Sequence, residues 1–103
     1  MSSIGLIIVE KRELKELPQN WVPIPLGPRP LVQNLVEKSL SQNEHLALEM
    51  SIEGEEESAD PRTISVSGVW GVEEMLVIKS ICSQLGARFY DAESGEFLDL
   101  NTI

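Results

Sequence analysis

One cysteine and one histidine are all that the 103 residues contain of the two side chains most used in metal and nucleophile chemistry. Cys82 has no second cysteine to pair with, so an internal disulfide is excluded and a reducing compartment fits. Neither a Cys-His nor a Ser-His-Asp arrangement can readily be assembled from so small a stock, and no zinc or nucleotide signature stands in the chain. Long apolar runs are missing as well. The longest are Leu6 to Val9 and Met75 to Ile78, far short of the roughly 20 residues that cross a bilayer. The start of the chain has no cationic segment or small-residue cleavage site, which leads to an expectation of a cytoplasmic protein without a membrane partner.

Basic residues are scarce in one half only. Residues 1 to 43 carry four acids and five bases, whereas residues 44 to 103 carry thirteen acids and three bases, within a net charge of −9. Such a field repels phosphate backbones, so nucleic acid is not an expected partner. It attracts and steers a basic protein instead.

Apolar residues make up 42% and charged residues 24%, which is enough to build one packed core and fits a single domain over residues 1 to 103. Ile4 to Val9 is apolar on both alternating faces apart from Gly5, as in a central strand with cover on both sides. Five of the six prolines follow between positions 18 and 30. They dictate an ordered, extended connection carrying Trp21, Val22, Ile24 and Leu26.

From Leu31 the period becomes helical. Leu31, Val32, Leu35, Val36 and Leu40 share one half of the wheel, Pro30 suits the first turn, and the helix ends near Gln42 or Asn43. His45 to Glu53 alternates as a half-buried strand, and Thr63 to Ser67 does the same, so the two form an antiparallel hairpin around an acidic turn, Gly54 to Arg62. A second helix opens near Val72 with Met75, Val77, Ile78, Ile81, Cys82 and Leu85 on its apolar side, and Gly86 is placed to cap it. Arg88 to Leu100 closes the chain as a strand or hairpin. The order strand, helix, strand, strand, helix, strand is that of an α+β, ferredoxin-like βαββαβ sandwich, with an antiparallel sheet of four strands and two helices on one face.

Candidate sites are few. The run Glu53, Glu55, Glu56, Glu57 and Asp60 offers closely spaced carboxylates that gain when opposed by Arg or Lys. It lacks the alternating ligands of an EF-hand, so no metal or other cofactor is expected there. Trp21, on its stiff connection, either presents a binding edge, covers the sheet face away from the helices, or forms a homodimer interface. Trp70, between Gly68 and Gly71, marks a tight junction between strand and helix. Cys82 lies in the apolar arc of its helix as an inert thiol. His45 falls on the polar side of its strand. Glu49, Asp91, Glu96 and Asp99 supply the carboxylates for an acid–base enzyme only if at least two converge in a pocket.

These features describe a non-catalytic protein-binding module that meets a basic partner through Glu53, Glu55, Glu56, Glu57, Asp60, Trp21 and Trp70. A small, acidic, single-domain protein without catalytic motifs also has the character of a bacterial inhibitor or immunity-type protein that neutralises a cationic enzyme. The alternative is a small-ligand-sensing or regulatory domain acting as a dimer.

Overall fold

The computed structural model describes residues 3–12, 14–53 and 60–100. In chain order the elements are β1 (Ser3–Ile8), a 3-10 turn (Leu14–Glu16), α1 (Arg29–Ser41), β2 (Leu48–Ile52), β3 (Ile64–Gly68), α2 (Val72–Leu85), β4 (Arg88–Asp91) and β5 (Glu96–Leu98). The fold is α+β, with two helices and a five-stranded sheet in the order β2-β3-β1-β4-β5. Every neighbouring pair of strands is antiparallel.

The fifth strand departs from the four expected. Gly95, in the left-handed region at φ 72°, lets the chain reverse after β4 at no steric cost. Its N–H donates to the Asp91 carbonyl at 2.8 Å, and Phe97 and Leu98 then pair with Tyr90 and Phe89.

Alternation assigns the two faces. Ile7, Ile64, Val66 and Phe89 are fully buried, and they meet Val32 and Val36 of α1 and Ile78, Ile81 and Cys82 of α2 in one core cluster. Gly5 sits on the same side for want of space, because a Cβ there would lie 2.6 Å from both the Phe89 ring and the Tyr90 carbonyl oxygen. The helices form from apolar arcs at 3.6-residue spacing. Leu31, at one margin of the α1 arc, stays 59% exposed.

Pro28 caps α1 without a side-chain bond, and Pro30 sits inside its first turn. At α2 the Glu74 carboxylate accepts the Gly71 N–H at 3.1 Å, which is the reciprocal half of a capping box, since glycine has no side chain to supply the other half. Gly86, at φ 64°, ends that helix, and the next N–H, that of Ala87, donates to the Cys82 carbonyl.

One boundary moves by three residues. His45 was expected to open β2, but residues 42–46 are turns held by bonds such as Leu46 N–H to the Asn43 carbonyl and Asn43 Nδ2 to the Ser39 carbonyl. The asparagine side chain competes with strand pairing there, and β2 starts only at Leu48. Most of the acidic turn, residues 54–59, lies outside the described residues.

Candidate functional site

The face of the sheet away from the helices is covered in part by the proline-rich connection, while Ile4 on that face stays 55% exposed. Val9 forms an isolated bridge with Ile24, so the chain leaves β1, runs beneath the sheet and returns beside its starting point. What holds this loop is one carboxylate. Glu10 accepts the Trp21 indole N–H at 2.6 Å, the backbone N–H groups of Lys11 and Arg12 at 3.0 Å each, and a two-pronged bond from the Arg12 guanidinium at 3.1 Å on each oxygen. The Arg12 side chain above all, then the Arg12 backbone N–H and the Trp21 indole, hold the Glu10 pKa down to about 2.

Two further arginines tie the loop from outside. Arg62 donates to the Pro23 carbonyl at 2.6 Å and Arg88 to the Arg12 carbonyl at 3.2 Å. The Leu26 N–H reaches the Pro61 carbonyl at 2.8 Å.

Between loop and sheet lies a cleft of about 280 Å³ lined by Leu6, Ile8, Leu17, Trp21, Pro23, Thr63 and Tyr90. Its lining is apolar because two of its polar groups are already bound: the Trp21 N–H to Glu10, and the Thr63 hydroxyl to Glu53 Oε2 at 3.1 Å. Beside it Tyr90 meets the Phe97 ring edge-on at 5.9 Å between centroids, and the Arg88 guanidinium lies 4.0 Å from the centre of that ring. Only part of the loop covers the sheet. Val22 and Ile24 are 61% and 56% exposed, while Leu26 crosses to the helical side and joins the core.

The partner-binding residues read from the sequence fall in three separate places. Glu53 is a knot in the chain: its carboxylate accepts the Arg62 N–H and the Thr63 hydroxyl, and its carbonyl accepts Arg29 Nη2. Asp60 is exposed, and Glu55, Glu56 and Glu57 lie outside the described residues. Trp70 packs on the helical side, edge-on to Phe89 at 4.9 Å, and its buried indole N–H has no partner among the described residues. Trp21 and Trp70 are therefore divided by the sheet.

Glu10, Arg12 and Arg62, which set the loop, escaped the sequence reading. A glutamate directly after an apolar strand, with arginine two residues on, is their only trace, and it is common on any surface.

The remaining reactive side chains stand apart. Burial pushes the Cys82 thiol up to about 12, although it lines a cleft of about 330 Å³ with Lys79, Ser83, Arg88 and Asp99. His45 Nε2 lies 3.6 Å from Glu73 Oε2, both well exposed. Among the candidate carboxylates, Asp91 and Glu96 face each other across β4 and β5, and Glu49 is on the opposite edge. The Cys82 cleft contains Asp99 alone of that set, and the hollow beside β2 contains Glu49 alone. Among the described residues no three His, Cys, Asp or Glu side chains gather as metal ligands, and no helix is long and apolar enough to cross a membrane.

No protein-family model matches the chain, and no curated protein or solved structure is significantly similar to it. The arrangement defines a small α+β protein with an apolar cleft on one sheet face and a largely acidic exterior.

Proposed function

We propose that the chain is a non-catalytic, single-domain protein-binding module of immunity or inhibitor type, which engages a basic protein through its acidic surface. The observation that carries this reading is the excess of acids over bases, with a net charge of −9, together with where the two kinds of charge sit. Arg12 is bound to Glu10, and Arg29, Arg62 and Arg88 each donate to a backbone carbonyl. Meanwhile Glu44, Glu49, Asp60, Glu93 and Glu96 are exposed. Half of the eight cationic side chains are thus held in bonds within the chain and keep their charge, and the excess of 17 acids over eight bases sets a net negative field that steers a cationic partner. Glu55, Glu56 and Glu57, close to Asp60 in the sequence, are proposed to take part in the same contact.

The architecture fits as a ferredoxin-like domain with one strand added. In support, β1 and β2 run parallel with β3 between them, β3 and β4 run parallel with β1 between them, and each pair is joined through a helix. A cytoplasmic setting agrees with a buried, reduced Cys82.

The test is to isolate the partner from the native host and titrate it against the purified chain at about 50 and about 300 mM salt. A basic protein whose affinity falls about tenfold or more over that range is the expected result. A neutral or acidic partner, or binding indifferent to salt, removes the reading.

The Trp21 cleft favours a second reading, a small-ligand domain that dimerises. At about 280 Å³ it lies just below the usual range of roughly 300–1,000 Å³ for small-molecule pockets. A monomer at all concentrations, without a thermal shift on screening apolar compounds, disposes of it.

A further inference from the structure

The two edges of the sheet are unequal. β5 closes one edge with three residues, while β2 presents five on the other, and no strand lies beyond it among the described residues. Two bonds fix which backbone groups of β2 face outward. The Glu53 N–H donates to the Thr63 carbonyl, and the Ala47 carbonyl accepts the Val69 N–H. In an antiparallel ladder both backbone groups of a residue point the same way and alternate along the strand. Ala47, Glu49, Ser51 and Glu53 therefore spend their groups on β3, and Leu48, Met50 and Ile52 turn theirs away from the sheet.

Protein edges of this kind are usually guarded by lysine, proline or a bulge, and Leu48–Ile52 contains neither lysine nor proline. Its guard is negative charge. From Glu44 to Asp60 the chain holds seven acids and not one Lys or Arg, and the Glu49 and Ser51 side chains stand exposed on the strand itself. That guard discriminates. A second copy brings its own carboxylate against Glu49, whereas a lysine- or arginine-bearing strand gains where its cation lies opposite Glu49.

Resting on the basic-partner reading above, we infer that the outer edge of β2 is the docking edge for an extended basic segment of the partner, which adds to the sheet as a sixth strand through Leu48, Met50 and Ile52. Main-chain bonds supply affinity, and Glu49 selects for charge.

The test uses the full chain and a short acetylated peptide of alternating lysine and valine, beside the same peptide N-methylated at alternate residues. The expected result is saturable binding that slows amide exchange at Leu48, Met50 and Ile52 by about tenfold. Binding is lost on N-methylation and weakened about fivefold by Glu49→Lys. Met50→Pro, which deletes an N–H that β3 does not use, is expected to keep the fold and abolish binding. If that variant does not fold, the N-methylated peptide decides.

Equal binding of the two peptides, or protection elsewhere than on β2, overturns the edge assignment while leaving a salt-sensitive basic partner in place. Salt-insensitive recognition of the natural partner removes the parent reading instead. A concentration-dependent dimer abolished by Met50→Pro would give the edge to a second copy and also overturn the inference.

Discussion

The two faces of the sheet are covered by unlike means. On one side two amphipathic helices bury Ile7, Ile64, Val66 and Phe89 completely, with no buried polar or charged residue among the described residues. On the other a loop is drawn over Leu6 and Ile8 by one glutamate, one indole and three arginines. Covering a face with helices draws on apolar area, which is non-directional and indifferent to mild acid. Covering it with a loop draws on a few directed bonds that depend on an ionised carboxylate, and these leave a cleft.

Breaking the helical face should have the largest effect. Phe89→Ala removes a ring with 0% exposure and is expected to cost about 3–5 kcal/mol, measured as a lowered urea midpoint with unchanged slope. On the other face Trp21→Ala should cost about 2 kcal/mol, because that residue is only half-buried. It should also open the cleft, seen as faster amide exchange at Ile8 and Ile24. Equal losses for the two variants would show that the loop is as integral to the core as the helices.

Acid distinguishes the faces next. Glu10 titrates near 4.5 when unfolded and at about 2 when folded. The unfolded chain therefore takes up the proton first. The Glu10 contribution is full above the unfolded value of about 4.5, declines as pH falls, and is lost as the pH passes below about 2. Trp21 emission, read in a Trp70→Phe background, should shift to the red in that window and in Glu10→Gln at neutral pH. An unchanged spectrum in Glu10→Gln would show that packing alone holds the loop.

The smallest effect belongs to Trp70→Phe. It trades half-buried ring area for relief of a buried indole N–H without a partner among the described residues, so stability should stay within about 1 kcal/mol of the parent. A larger loss would mean that the indole carries packing on the helical face that Phe89 does not replace.

Both helices, the β2–β3 hairpin and the cap at Gly86 were legible in the residues, because each is written in a local period or a glycine. Apolar side chains at 3.6 or 2 spacing fix an element whatever lies beyond it. The start of β2 was misread by three residues: the alternation runs back to His45, but the turn bonds of Asn43 and Leu46 override it. The partner residues were legible only as types. Glu53, read as a docking acid, also ties Arg62, Thr63 and Arg29 together, and nothing along the chain marked Glu10 as the residue that positions Trp21.

By itself the sequence determined the class of the protein: a small acidic α+β chain with an apolar core, a stiff proline-rich connection and no local signature of catalysis. Composition and short periods carry that information, since burial and backbone preference act within a few residues. The tertiary structure alone decided that the tryptophans are parted by the sheet, that four arginines at the surface tie one segment of the chain to another, and that β2 stands at an edge. Those facts depend on which distant segments meet. A carboxylate at position 10 and an indole at position 21, or a carbonyl at 23 and a guanidinium at 62, acquire their roles only when folding sets them within hydrogen-bonding distance.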